Sequence, residues 1–481
     1  MENLKEKTAR SLLWGVINNG GMQVLYVVFG IVLGRLLSPA EYGIVGVLTL
    51  FTAIAGAIQA SGFTQGLVNL KLPTARDYNA VFWFNLLVSL SLYALLFVSA
   101  PLIADYFRQP CLVEVSRVLF LCLPISAIGI AINSYMLKNL MNREIAIINL
   151  IAILLSGTTG TIMAFCGMSY WSLVWQQLVY NIALNIGRYS YVRWRPSLRL
   201  DFEPVKRMFG FCSRLLVTNL LNTLNQQLLT FVFGRLFPIH AVGNYTQANK
   251  WSTMAHSTVT NTLHQVVQAV LVSINDERER QQRVFRKLMR FTAFLCFPAM
   301  LGLALVSREF ILLTIGDRWA GCVVMMQIIC IGAAFLPLHA LYQNLTISNG
   351  RSSLYMWCNI GQIVLQLTLV LLLRHQSIEV IVAACSAFTI LWLFVWQWTA
   401  HRMIGLRLID MLKDTVPFLV VAVAVMAVTY LITSAISNLV LLLASRVVIA
   451  AALYYLAMRL LHAKVMEECI QMLRGKIKAV K

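Results

Sequence analysis

The chain has 481 residues, of which 59% are hydrophobic and only 12% charged, and its mean hydropathy is +0.74. Soluble domains carry about 25% charged residues, so this composition excludes a water-soluble globular protein and points to a chain built for a bilayer. The formal net charge of +20 comes with no nucleic-acid motif, and the placement of Lys and Arg along the chain accounts for it.

The first ten residues, "MENLKEKTAR", carry charges of both signs and precede an apolar run that no small-residue cleavage site closes. They are read as the start of an uncleaved first helix. Apolar stretches of about 20 residues then recur to the end of the chain, each long enough to cross a hydrocarbon core as a helix. About 14 spans are predicted. The first six lie near 11–34, 42–66, 78–104, 113–137, 145–167 and 169–187. Six more lie near 209–235, 241–272, 289–308, 321–346, 354–374 and 378–400, and a last pair near 415–434 and 437–458. No connector is long enough for a soluble domain.

Lys and Arg set the orientation. With the N-terminus inside, inner segments hold 29 of the 39 basic residues, including the clusters Arg188–Arg207 and Arg278–Arg290 and the tail from Arg459. Outer segments hold seven: Arg35, Arg108, Arg117, Arg235, Arg308, Arg318 and Arg374. Arg214, Lys250 and Arg446 fall within spans. Both termini are therefore expected in the cytoplasm, and the basic face adds attraction to anionic lipid heads.

A sentence is written twice in this chain. "GRLLSPAEYG" begins at Gly34 and "GRLFPIHAVG" at Gly234, each after the helix that opens a group of six. "FLCLPISAIG" places Pro124 within the fourth span, and "AAFLPLHALY" places Pro337 within the tenth, the fourth of the second group. Six spans per half is even, so the halves insert in the same sense and predict parallel repeats with a ligand path between them. The expected organisation is an N-terminal lobe over 1–192, a cytoplasmic linker over 193–208, a C-terminal lobe over 209–403, and a last helix pair with a basic tail over 404–481.

Candidate site residues follow from polar groups inside spans. The eighth span carries Gln247, Lys250, Ser257, Asn261, His264 and Gln268 at helical spacing, with Met254 in the same row. The seventh offers Asn219, Asn222, Asn225 and Gln226, the first Asn18, Asn19, Gln23 and Tyr26, and the second Thr49, Thr52 and Gln59. Intramembrane amides serve either as glue between helices or as the lining of a wet cavity, and the full stripe on the eighth span favours the cavity. Lys250 is the candidate anion contact, followed by Arg35 and Arg214. The candidate cavity set is Lys250, Arg35, Arg214, Gln247, Asn261, His264, Asn222, Gln226, Asn19 and Gln59. All 19 acidic residues are placed in loops or at span edges, with Glu114, Glu309 and Glu379 coming nearest the interior. A cation exporter driven by protons or sodium usually needs a buried carboxylate, so the pattern counts against one.

No catalytic constellation, metal-ligand spacing or cofactor loop stands out, so neither an enzyme nor a cofactor is expected. The ten cysteines are scattered singly and read as packing residues. Trp171, Trp175, Trp392, Trp396 and Trp398 read as interface anchors.

"GRLLSPAEYGIVGVLTLFTAI", "SGFTQGLV" and "GRLFPIHAVGNYTQANKW", with the six-plus-six-plus-two layout, resemble the multidrug/oligosaccharidyl-lipid/polysaccharide (MOP) exporter superfamily, in its polysaccharide-transporter branch. The resemblance implies an all-α polytopic fold in the bacterial inner membrane. It implies a flippase for oligosaccharide units on undecaprenyl diphosphate, working by alternating access. Cavity cations would meet the diphosphate, and membrane lipids and the polymerase and chain-length proteins of the same pathway would be partners, with no nucleic acid. Rival readings are a lipid II flippase and a multidrug or cation antiporter of the same fold. An enzyme acting on the same lipid-linked sugar is a third.

Overall fold

The computed structural model describes residues 4–461 and 466, apart from 61, 273, 275 and 276. Within its helices the side chains up to residue 13 and those of 16, 17, 60, 211, 214, 215, 218, 258, 259, 261–266, 268–270, 272 and 352 lie outside the description. Most of the described residues are helical, with no strand among them. In chain order the helices are α1 (Leu4–Leu36), α2 (Pro39–Ala60), α3 (Phe63–Asn69), α4 (Ala75–Phe107), α5 (Leu112–Leu119) and α6 (Cys122–Ile128). Next come α7 (Ile130–Lys138), α8 (Asn142–Phe165), α9 (Trp171–Tyr191), α10 (Glu203–Leu236), α11 (Ile239–Val272) and α12 (Arg278–Thr314). The chain closes with α13 (Ala320–Ala333), α14 (Leu336–Ser348), α15 (Ser352–Leu372), α16 (Ile378–Ile404), α17 (Leu408–Thr433) and α18 (Leu439–Leu460).

Among the described residues ten segments are long and apolar enough to cross a membrane, or eleven when the pair bent by 42° at Gly129 counts as one span. α9, α10 and α11 are not among the ten. They are nevertheless 21, 34 and 34 residues long, and their polar rows are what lower the mean hydropathy. A helix satisfies its own backbone, which is why helices serve as spans in hydrocarbon. The fold is all-α and polytopic, and its helices are consistent with the 14 predicted spans.

Both prolines singled out by the repeat fall where a span breaks. Pro124 lies in α6, between α5 and α7, and Pro337 is in the first turn of α14, just after the break from α13. Pro124 has no N–H for the carbonyl of Phe120, and the N–H of Leu123 takes that carbonyl instead at 3.0 Å. Gln59 on α2 covers the same break. Its Nε2 donates to Leu123 O at 3.0 Å and its Oε1 accepts from Ser126 Oγ at 3.1 Å.

The chain divides into two compact units, Met1–Thr246 and Gln247–Lys481. In the first, α1 packs on α8 and α8 on α9, while α10 lies against α2 and α4. A core of Phe63, Leu67, Tyr78, Val81, Val205 and Cys212 joins α3, α4 and α10. Thr74 and Asp77 form a reciprocal capping box at the start of α4, satisfying backbone donors that a helix start leaves open. The strap at 192–202 runs back along α4. Asn79 binds it on both sides, donating to Arg199 O at 2.6 Å and accepting from Ser197 N at 2.9 Å, and Trp83 Nε1 donates to Ser197 O at 2.7 Å. Arg76 grips Asp201 and Glu203 at its end and holds the Asp201 carboxyl below its ordinary range.

In the second unit α12 is the hub, packed on α13, α17 and α18, while α16 collects α13, α14 and α15. Trp396 and Trp392 are buried here, whereas Trp175 and Trp398 are exposed. The first two are core residues and not interface anchors. Their single-residue signal is the same because aromatic rings serve both purposes.

The acidic residues need a larger correction. α12 continues past the predicted edge at 308 to Thr314, and α17 begins at Leu408, before the predicted edge at 415. Glu309 is therefore 1% exposed and Asp414 4% exposed, each inside a helix. Buried carboxylates do exist among the described residues: these two and Asp77 in the first turn of α4, and all three are paired, Asp77 with Arg207 at 3.3 Å. Glu309 meets Arg446 at 2.8 Å, and Asp414 meets Arg286 at 2.6 Å, with Asp410 also on Arg286 at 3.1 Å. Hydropathy places an acid at a span's end, and only the partner's position reveals that it sits inside.

Candidate functional site

The repeated sentence is structurally repeated. α1 ends at Leu36 and α2 starts at Pro39, while α10 ends at Leu236 and α11 starts at Ile239. Leu37 N bonds Leu33 O and Phe237 N bonds Phe233 O, both at 2.9 Å. Tyr42 N bonds Ser38 O and Val242 N bonds Pro238 O, both at 3.3 Å. The first copy adds a cap, Ser38 Oγ to Glu41 at 2.8 Å, which Pro238 and Ala241 cannot make.

These two helix starts cross at backbone contact. A Cβ on Gly43 would collide with the carbonyl of Ile239, and one on Gly243 with the carbonyl of Pro39. One turn further along, a Cβ on Gly46 would stand 2.9 Å from Thr246 Oγ1. Here glycine is required by closeness, as at helix crossings in membranes generally. Further along α2 an aromatic cluster joins α2, α4 and α10. Phe51 meets Phe107 at 6.5 Å and Phe231 at 5.7 Å between ring centroids, Phe107 meets Phe231 at 5.4 Å, and Tyr106 stacks on Phe231 at 5.3 Å. Sequence reasoning missed this cluster, because its members come from helices far apart in the chain and carry no spacing signal.

The predicted polar residues fall into distinct places. Arg35 is exposed on the last turn of α1, and Arg235 occupies the matching turn of α10 with its guanidinium 5.3 Å from the Tyr106 ring. Asn19 is exposed, and its neighbour Asn18 accepts from Asn149 Nδ2 at 3.2 Å, tying α1 to α8. Asn222 is half-buried on α10 and Gln226 is exposed. Gln227, not among the predicted residues, accepts from Thr49 Oγ1 at 3.2 Å and links α10 to α2. Gln59 is buried with both ends of its amide on the α6 break.

On α11 Lys250 is half-buried, with its ammonium 5.8 Å from the ring of Trp251, which packs edge-on against Phe310 at 5.1 Å. Gln247 is fully buried, and neither end of its amide has a hydrogen-bond partner among the described residues. Trp251 Nε1, one turn on, is in the same position. The side chains of Arg214, Asn261 and His264 lie outside the described residues. The described part of α11 thus sets a half-buried cation beside a buried amide and a buried indole N–H that have no hydrogen-bond partner among the described residues, and leaving such groups unpaired is costly.

Residues 32–324 match the family described as "Polysaccharide biosynthesis protein". The chain belongs to that family. Among its relatives is the teichuronic acid biosynthesis protein TuaB of Bacillus subtilis, 23% identical over 407 residues, covering 84% of this chain and 83% of the relative. Another is the lipopolysaccharide biosynthesis protein WzxC of Escherichia coli, 24% identical over 335 residues, covering 68% and 67%. Among solved structures, the lipid II flippase MurJ in an inward closed conformation superposes with a TM-score of 0.72 at 13% identity, covering 94% of this chain and 99% of MurJ. That likeness is one of fold. The polysaccharide biosynthesis family therefore appears here on the fold of MurJ, in a multi-pass membrane protein.

Proposed function

We propose that this chain is a flippase that moves undecaprenyl-diphosphate-linked oligosaccharide units from the inner to the outer leaflet of the bacterial inner membrane. The observation that carries the reading is the family match over residues 32–324, on a chain whose long helices leave no room for a soluble catalytic domain. A diphosphate and several sugars would meet a large desolvation cost in hydrocarbon. Amides and one or two cations along a protein path lower that cost, while the polyprenyl tail stays in lipid.

In this reading the lobes 1–192 and 209–403 form a parallel pair, joined by 193–208 and followed by the helices of 404–481. Alternating access exposes the path inward and then outward, with both termini in the cytoplasm as the Lys and Arg bias supports. Lys250, Arg35 and Arg214 are the cations offered to the diphosphate. Asn19, Asn222, Gln226, Gln247, Asn261 and His264 are offered to sugar hydroxyls. Gln59 has both amide ends engaged on Leu123 and Ser126 and enters the path only if that staple opens. The polymerase and chain-length proteins of the pathway would receive the product. The antiporter reading loses one objection, since buried acids exist, but Glu309 and Asp414 are held by arginines and neither is an open cation carrier. A lipid II flippase is the second reading, favoured by the MurJ superposition over 94% of the chain.

The test is sidedness of the lipid-linked oligosaccharide in cells lacking the protein, read with a membrane-impermeant glycan label. Outer-leaflet labelling is expected to vanish on deletion and return with a restored copy. Unchanged labelling with halted peptidoglycan synthesis would replace this reading with the lipid II one.

A further inference from the structure

A cleft separates the middle of α4 from the first two turns of α10. It encloses about 700 Å³ and is walled by Phe84, Leu87, Val88 and Leu92 from α4 and by Phe209 from α10, with Lys206 at its end. No acidic residue lines it. The α4 wall from 84 to 92 rises about 12 Å at 1.5 Å per residue, close to the ~15 Å that one leaflet contributes to a hydrocarbon core of ~30 Å. Its lips are apolar and open, Leu87 being 46% and Phe209 54% exposed.

The charges around it are sorted. Arg76 is tied to Asp201 and Glu203, and Arg207 to Asp77. Lys206 is exposed and makes no ion pair among the described residues. Beside it the strap turns Leu198 and Leu200 outward, 88% and 61% exposed, next to Arg199. Leucines and arginines alternating on a fixed, extended segment suit the boundary between hydrocarbon and head groups. A lysine there lays its stem on apolar surface and its ammonium among phosphates.

We propose that this cleft is a binding site for an anionic glycerophospholipid, one acyl chain lying along α4 and the phosphate on Lys206. The wall's length matches a single leaflet, and the unpaired cation with no acid facing the cleft selects a net-negative head group. Its lining includes none of the residues offered to the cargo, and the site depends only on the chain's being embedded in a bilayer.

The test uses the full chain purified in detergent and exposed to phosphatidylglycerol or phosphatidylcholine, with retained lipid counted by native mass spectrometry. Wild-type protein is expected to retain phosphatidylglycerol at least fivefold over phosphatidylcholine. Lys206→Glu should abolish that preference, Val88→Trp should reduce retention of both lipids by filling the cleft, and Arg318→Glu, far along the chain, should change neither. Equal retention of the two lipids by the wild type, or full retention of phosphatidylglycerol by a folded Lys206→Glu protein, overturns the proposal. Displacement of phosphatidylglycerol by equimolar undecaprenyl diphosphate would make the occupant the cargo lipid and overturn it too. The readout needs no transport, so failure of the flippase reading leaves it intact.

Discussion

Arg446 on α18 donates from Nη1 to Glu309 Oε2 on α12 at 2.8 Å, with both side chains buried. The same guanidinium also donates to Leu305 O at 3.2 Å and, through Nε, to Thr433 Oγ1 on α17 at 3.3 Å. Tyr430 lies 5.2 Å beneath it. One side chain therefore gathers three helices, and the two C-terminal helices are fastened to the hub of the second unit by charge as well as by packing.

Breaking that pair from one side leaves an uncompensated buried charge. Arg446→Met or Glu309→Leu alone is expected to cost about 3–5 kcal/mol, while the double replacement by apolar residues of similar volume should be near neutral. Thermal unfolding in detergent, run as a double-mutant cycle, reads this. A single replacement that leaves the melting temperature unchanged would show that the pair does not hold α18 in place.

Gln59 makes a second, neutral fastening. Gln59→Leu removes the donor to Leu123 O and the acceptor for Ser126, where Pro124 has already interrupted the helix. The expected loss is about 1–3 kcal/mol, the cost of leaving buried polar groups unmet. Gln59→Glu should be worse, because its second oxygen would face a carbonyl. The same unfolding measurement applies. Equal stability of the wild type and Gln59→Leu would mean that water covers the break unaided.

Some of this architecture was legible because the signal is carried by one residue's covalent chemistry. Pro124 and Pro337 mark broken spans because neither has an N–H, whereas Gly34, Gly43, Gly234 and Gly243 all lie inside helices and not at the turns between them. The crossing of the two helix starts was not legible, since a glycine that ends a helix and one that admits a neighbouring backbone look alike in sequence. Lys250 was correctly placed inside a helix by its row of polar neighbours. Glu309 was not, because hydropathy treats an acid as an edge, and its partner stands 137 residues away. Gln59 and Gln227 are the same residue type, each within a long helix. The amide of one covers a helix break and the other links two helices, and only the positions of Leu123 and Thr49 distinguish them.

Lys250 is the residue on which the proposed chemistry leans most. Lys250→Ala is expected to preserve membrane insertion and melting behaviour and to lower transport at least tenfold, with Lys250→Arg recovering part of it because the charge remains. An ammonium within ~6 Å of an indole gains cation–π stabilisation, so the alanine variant should also change the fluorescence of Trp251. Wild-type transport by a well-expressed Lys250→Ala protein would remove this lysine from the path.

The crossing of α2 and α11 makes the sharpest mechanical prediction. An ideal Cβ on Gly46 lies 3.7 Å from Thr246 Cβ, within the separation a disulfide bridges. In a background with the ten native cysteines replaced, Gly46→Cys with Thr246→Cys should crosslink on mild oxidation. A protease site placed between 46 and 246 reports the bond as two fragments that stay joined until reduced. If the flippase reading holds and this contact parts in each cycle, the oxidised protein should stop transporting and the reductant should restore it. Each single-cysteine variant should ignore both treatments. Full transport by crosslinked protein would mean that the two helix starts remain joined throughout, and that the opening lies elsewhere in the fold.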